Sequence, residues 1–240
     1  KGEGQMKLSE FLSFLAPYAV RLRLEGSPLF PSVRLAQNLL ETGGTIPAWN
    51  NLGGIKVGSG QPNEWWDGSS VRKGTWEVVN GVRVDTAANF RAYPSVYHFY
   101  KDQDLLFQLP RYERVRTAQI PEEQADMLLE CGYATDPAYA RKLKQLIEIH
   151  DLKQYDREVE RVLQELKDEI NGLRRRNEEL ETRVKRLESL RSMGVPEWAR
   201  AAVDAAVQAG IVDTPEGGSY DFYRLLTVLY RSGTLKDQTG

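Results

Sequence analysis

Cysteine occurs once in this chain of 240 residues, at Cys131, and histidine twice, at His98 and His150. A lone cysteine forms no intrachain disulfide, so stability has to come from packing, and redox chemistry does not fix the compartment. One cysteine and two histidines far apart in sequence offer no zinc ligand set, which counts against a zinc amidase or metallopeptidase. No metal and no cofactor are expected. Long apolar runs are missing too: nothing approaches the roughly 18 residues of a membrane span. Charge of one sign is also lacking, with 32 basic against 34 acidic side chains and a net charge of -2. That balance gives no basic surface for nucleic acid. Residues 8–15 are too interrupted for a secretory signal core, and residues 1–5, ahead of Met6, read either as an added remnant or as the start of a mature form.

What is present suits two or three folded units. Phe11, Phe14, Leu15, Tyr18 and Leu22 recur at spacings of three and four, predicting a helix over residues 7–24 that Pro17 kinks or splits in two. A second helix ends at Glu41-Thr42, with Val33, Ala36 and Leu40 on its core face and Gly43-Gly44 as its stop. Residues 43–74 follow, rich in Gly, Asn, Pro and Trp, and a loop that long in a compact domain is usually functional. Asn80-Gly81 between Thr75-Trp76-Glu77-Val78-Val79 and Val82-Arg83-Val84-Asp85 predicts a hairpin with a two-residue turn. Residues 90–94 read as extended, and residues 95–109 as a helix with Val96, Phe99, Leu105 and Leu106 inward. Pro121 opens a helix through Cys131 that Gly132 caps, and a further helix covers residues 138–150.

Two acids attract attention before any family is considered. Glu41 lies at the negative end of its helix dipole, and burial would add desolvation; both raise a carboxyl pKa and favour a protonated general acid. The bland alternative is an exposed last-turn glutamate with no task. In the hairpin, Val79 should pair with Val82 and Glu77 with Val84, leaving Glu77 as the one acid on a face shared with three valines. Its alternative is an edge acid that simply reaches water. Trp49, Trp65, Trp66 and Trp76, in or beside the loop and hairpin, either present flat faces to a ligand or fill core. Glu64 and Asp67, flanking Trp65-Trp66, are reserve acids.

Five ordered segments carry a family resemblance: Glu41-Thr42-Gly43, Asn50-Asn51-Leu52-Gly53-Gly54-Ile55-Lys56, Glu77 before Val78-Val79-Asn80-Gly81, Phe90-Arg91-Ala92-Tyr93, and Gly132-Tyr133-Ala134-Thr135-Asp136-Pro137. Together they resemble family 73 glycoside hydrolases, the endo-β-N-acetylglucosaminidases of bacterial autolysins, flagellar muramidase-like proteins and phage endolysins, over roughly residues 6–155. The resemblance implies an α+β, lysozyme-like fold, mainly helical with a small β-hairpin lobe, and cleavage of the β-1,4 bond between N-acetylglucosamine and N-acetylmuramic acid in peptidoglycan. It implies Glu41 as catalytic acid, Glu77 as base or water activator and Tyr133 in the groove. Asn50, Asn51, Trp49, Trp76, Phe90 and Tyr93 are the expected substrate-binding residues. The expected place of action is the bacterial cell wall, outside the cell or after release by a phage. Two departures from the family pattern, Gly44 for Trp and Gly53 for Phe, touch substrate stacking and loop stiffness and remove no acid. A muramidase, and a non-catalytic wall-binding protein that keeps the groove, are the alternatives.

Three units are expected: the catalytic domain over residues 1–155, a coiled-coil helix over 156–192 and a small helical module over 193–240. In the coil, Leu163, Ile170, Asn177, Val184 and Arg191 fall at a positions, and Val159, Leu166, Leu173, Leu180 and Leu187 at d positions. Asn177 at a buried a site, with Glu169, Arg176 and Arg183 facing Arg174, Glu181 and Glu188 of a second strand, favours a parallel homodimer. A single helix folding back on the chain is the competing arrangement. Residues 193–240 read as two short helices that either bind cell wall or only cap the coil.

Overall fold

The computed structural model describes the backbone of residues 7–79 and 82–235, and the side chains of these residues apart from 75–86. Residues 1–5 and the Asn80-Gly81 turn therefore lie outside the described residues. The chain forms two compact units, Lys1–Glu165 and Leu166–Gly240.

In the first unit, α1 (Leu8–Leu24) runs through Pro17 as one helix, contrary to a split there. Pro17 faces solvent, where the carbonyl it leaves unbonded can meet water, while Phe11, Leu15, Ala19 and Leu22 hold the opposite face in the core. Phe14, expected inside, is 47% exposed and packs on Tyr18 at the surface. Next comes α2 (Pro31–Thr42), which starts on a proline and stops at Gly43, whose φ of 62° is the left-handed C-terminal conformation that glycine adopts without strain.

Strands β1 (Ser70–Val79) and β2 (Val82–Arg91) pair antiparallel, from Val79 opposite Val82 and Glu77 opposite Val84 down to Ser70 opposite Arg91. The register is the one the alternation predicts, but both strands are longer than expected. Phe90 and Arg91 end β2 rather than forming a separate extended segment, because the loop before β1 ties to it: Lys56 bridges Phe90, Val57 N–H donates to Asn89 O at 2.8 Å and Arg91 N–H to Ile55 O at 2.9 Å.

Helices α3 (Val96–Phe107), α4 (Glu113–Thr117), α5 (Pro121–Glu130) and α6 (Tyr139–Ile149) complete the first unit, with a single 3-10 turn at Pro110–Tyr112. On α3 the inward set is Val96, Phe99, Tyr100, Gln103 and Phe107; Leu105, expected inside, is 44% exposed. One apolar core joins α1, α2, α3, α5 and α6 through residues such as Leu15, Val33, Phe99, Leu128 and Leu143. Among the described residues the architecture is mainly helical, with one small two-stranded sheet.

The 39-residue α7 (Lys153–Arg191) begins in the first unit. Val159, assigned to the first d position of a coil, is instead buried and lines a cavity with Phe30 and Pro31, so it has no face left for a second strand. In the second unit, α8 (Arg200–Gln208) and α9 (Tyr220–Arg231) pack Ala202, Val203 and Ala206 against Tyr223 and Leu226. Trp198 is 45% exposed and meets Tyr220 edge-on. Among the described residues no helix is long and apolar enough to cross a membrane.

Candidate active site

Helix α2 is unusual for a core helix in burying polar side chains from Arg34 to Asn38 along with its apolar ones. Each of those groups needs a partner, since an unpaired buried polar group costs about 1–3 kcal/mol. Arg34 finds Asp104, Ser27 Oγ at 2.7 Å and Gln103 at 2.8 Å, and its guanidinium stacks 4.5 Å from the Tyr100 ring. Asn38 accepts from the Tyr100 hydroxyl at 2.5 Å. Gln37 donates to the Tyr139 hydroxyl at 3.1 Å. The N-terminus of α2 is capped from far along the chain: Ser32 N–H donates to Asp156 Oδ1 at 2.9 Å. The helix is thus held at fixed height and rotation, and Glu41 in its last turn inherits that placement.

Glu41 stands where two clefts meet. A narrow one, of 300 Å³, is lined by Thr45, Pro47, Trp49, Asn51, Lys73 and Phe90; a wide one, of 1080 Å³, is lined by Tyr133, Tyr139, Asp136, Arg111 and Lys142 among others. Both share Glu41 and Gly54. The residue as a whole is solvent-accessible, yet the protein wall behind its carboxyl is dense enough for desolvation to raise its pKa above the ordinary carboxylate value. A hydrogen bond with Tyr139 pulls the other way. Tyr139 accepts from Gln37, which leaves its own hydroxyl proton free to be donated towards the Glu41 carboxyl. Burial raises the Tyr139 and Tyr133 hydroxyls well above the usual tyrosine range, keeping both neutral.

The other expected site residues divide into those in the clefts and those beneath them. Trp49 lies in the narrow cleft with the Lys73 ammonium 4.1 Å above its ring, and Phe90 forms part of the same wall. Tyr133 lines the wide cleft, its hydroxyl accepting from Gln103 at 3.3 Å and its ring stacked on Phe107. Gly53 passes close behind it: a Cβ there would sit 3.1 Å from Phe99 and 3.3 Å from the Tyr133 hydroxyl. The departure at position 53 therefore lets the loop approach these rings.

Asn51 spends its amide on the backbone, accepting from Ile55 N–H at 3.0 Å and donating to Ile55 O and Arg91 O at 2.9 Å. Asn50, at φ 54°, donates to Tyr93 O at 2.9 Å. Tyr93 is turned inward, its hydroxyl donating to Asp102 at 2.6 Å. Asp102 also accepts from Arg91 at 2.8 Å and Asn63 at 2.7 Å, clamping loop and sheet onto α3. Trp66 fills core, with its indole N–H on Ser69 O, and Trp65 packs against Tyr97. Glu64 and Asp67 are exposed and line neither cleft. The side chains of Glu77 and Trp76 lie outside the described residues. Among the described residues no group of three His, Cys, Asp or Glu side chains is placed to hold a metal ion.

An acid with a raised pKa at the floor of an open cleft, between helices and a two-stranded sheet, is an arrangement shared with known proteins. The sequence pattern of the glucosaminidase family, described as mannosyl-glycoprotein endo-beta-N-acetylglucosaminidase, matches residues 18–152. The chain belongs to that family. It is 41% identical over 99 residues to the peptidoglycan hydrolase FlgJ of Escherichia coli K12, covering 41% of this chain and 30% of that protein. It is 33% identical over 156 residues to the exo-glucosaminidase LytG of Bacillus subtilis, covering 61% and 52%. The chain thus spans 30% of the length of the first of these relatives and 52% of the second. Among solved structures, the catalytic domain of the autolysin Auto from Listeria monocytogenes superposes with a TM-score of 0.52 at 27% identity, covering 65% of this chain and 90% of that one.

Sequence reasoning did not single out Tyr139, Gln37, Lys73 or Arg111. Tyr139 had a legible signal, six residues after Tyr133 and just beyond Asp136-Pro137. Gln37 lies one turn before Glu41 on α2 and reaches Tyr139, while Lys73 and Arg111 belong to elements distant in the chain and meet the clefts only through the fold.

Proposed function

We propose that the chain is a peptidoglycan hydrolase that cleaves the β-1,4 bond between N-acetylglucosamine and N-acetylmuramic acid, acting at the bacterial cell wall with Glu41 as general acid. The observation that carries this reading is the position of Glu41 at the meeting of two clefts, on a rigidly held helix end, with its carboxyl pKa raised by desolvation. A glycan lying through both clefts brings its bridging oxygen over that carboxyl. Glu41 gives its proton to the leaving oxygen, and as charge develops on the carboxylate the Tyr139 hydroxyl is there to donate to it. Trp49 and Phe90 offer apolar faces to sugar rings, and Trp76, on the first strand of the hairpin, is the third aromatic in this reading. Asn50, Asn51 and Tyr93 serve substrate by shaping the loop. Glu77, on the strand opposite Val84, is the proposed base.

The test is Glu41→Gln against wild type on a cell-wall suspension. Turnover should fall by about 10²–10⁴-fold, and the wild-type product should carry N-acetylglucosamine at its new reducing end. Undiminished lysis by the variant removes Glu41 from the mechanism, and muramic acid at the new end makes the enzyme a muramidase. Stability should move oppositely. A carboxyl whose folded pKa is raised disfavours folding once pH exceeds its unfolded value, so the variant melts higher than wild type near neutrality and loses that advantage in acid.

The proposal extends to the rest of the chain. Self-association as a parallel dimer through α7 is supported by the apolar seam from Leu166 to Leu187, every a and d leucine, isoleucine and valine of which is exposed in the single chain. The small core of the second unit supports an independent module in residues 193–240, read here as wall-binding. Equal sedimentation with cell walls by the full chain and a chain ending at residue 192 would refute that role.

A further inference from the structure

The two clefts that meet at Glu41 differ in size and in charge. The narrow one offers aromatic walls and one cation, Lys73, already seated over Trp49. The wide one gathers Arg111 and Lys142 against two carboxyls, Glu41 and Asp136. Asp136 is engaged by Lys142 at 2.7 Å, and Glu41 has to be protonated to act as an acid. The balance in the wide cleft is therefore positive at the moment of reaction. Arg111 supplies a charge that the fold does not consume: its guanidinium lies 4.5 Å from the centre of the Tyr112 ring, and among the described residues it makes no ion pair.

The two sugars of peptidoglycan differ in matching ways. N-acetylmuramic acid carries a lactyl ether and, through it, a peptide stem with free carboxylates; N-acetylglucosamine carries neither. We infer that the wide cleft receives the peptide-bearing muramyl unit beside the scissile bond, and that Arg111 is a specificity-determining residue that binds a carboxylate of its stem. The inference rests on the peptidoglycan reading above. A branch needs room, and the wide cleft has more than three times the volume of the narrow one. A carboxylate needs a planar double donor, and a guanidinium held against an aromatic ring presents one with little ordering left to lose. Arg111 is exposed, at the 3-10 turn of Pro110–Tyr112, so a stem reaching it can continue into solvent.

The experiment compares wild type, Arg111→Gln and Arg111→Lys on two soluble substrates: glycan chains with their peptide stems, and the same chains stripped of peptide by an amidase, with the lactyl carboxylates this frees capped as methyl amides. Wild type should prefer the stemmed chains, and Arg111→Gln should cut that preference, as a ratio of kcat/KM values, about fivefold and chiefly through KM. Arg111→Lys should recover part of it, because charge returns without the fork. Added salt should erode the wild-type preference. An unchanged ratio, or an equal loss on both substrates, in an enzyme that still cleaves them overturns the inference alone. Failure of the wild type to cleave either substrate overturns the peptidoglycan reading and the inference with it.

Discussion

Helices α2 and α7 send their polar residues to opposite places. Within α2, Arg34, Gln37 and Asn38 are buried and meet side chains from α3 and α6, while a carboxylate from the start of α7 caps its first turn. In α7 only Asp156 and Val159 are buried, and the charged residues and the apolar seam alike face outward. The difference teaches what each helix is for. On the proposed reading, the helix that carries the acid is locked by partners from many elements, whereas a helix whose apolar stripe finds no partner among the described residues is suited to one outside the chain.

The contrast can be broken most severely from inside α2. Arg34→Met removes one half of a buried ion pair and strands Asp104, at a cost of about 3–5 kcal/mol; thermal unfolding should register it, with cleavage lost in proportion to unfolded protein. A cost under about 1 kcal/mol would mean that the network is not what holds the helix. In α7 the paired change Leu173→Asp and Leu180→Asp should do the reverse. Both residues are exposed, so the melting of the first unit should stay as it was, while analytical ultracentrifugation should report monomer where wild type is dimeric. A wild type that is already monomeric at high concentration removes the dimer. The smallest effect belongs to the residue linking the two helices. Asp156→Ala deletes the cap on Ser32 and should cost about 1 kcal/mol. Because burial raises the Asp156 carboxyl pKa, its contribution shrinks as pH rises through the folded value, and the loss should be larger in acid than near neutrality.

Much of the α2 side of the site was legible. The Gly43-Gly44 stop located the end of the helix, and a raised pKa for Glu41 was expected there; its cause in the fold is desolvation. The hairpin register was legible from Asn80-Gly81 and side-chain alternation. The surroundings were not. Asn51 lines the narrow cleft and at the same time clamps loop to strand, and Tyr93 turns its hydroxyl to Asp102; a polar or aromatic residue in a loop gives no local sign of which way it will face.

By itself the sequence determined periodicity, chain reversals and the residue types available: where helices stop, which strands pair and which carboxyl sits at a helix end. These depend on neighbours a few positions apart, through steric limits on φ and the spacing of apolar side chains. Only the tertiary structure decided that Asp156 caps a helix more than a hundred residues earlier, that Tyr139 lines the same cleft as Glu41, and that Val159 is core rather than seam. Each of those pairs elements remote in the chain. The desolvation that forces a buried polar group to find a partner acts through space, where sequence distance has no bearing.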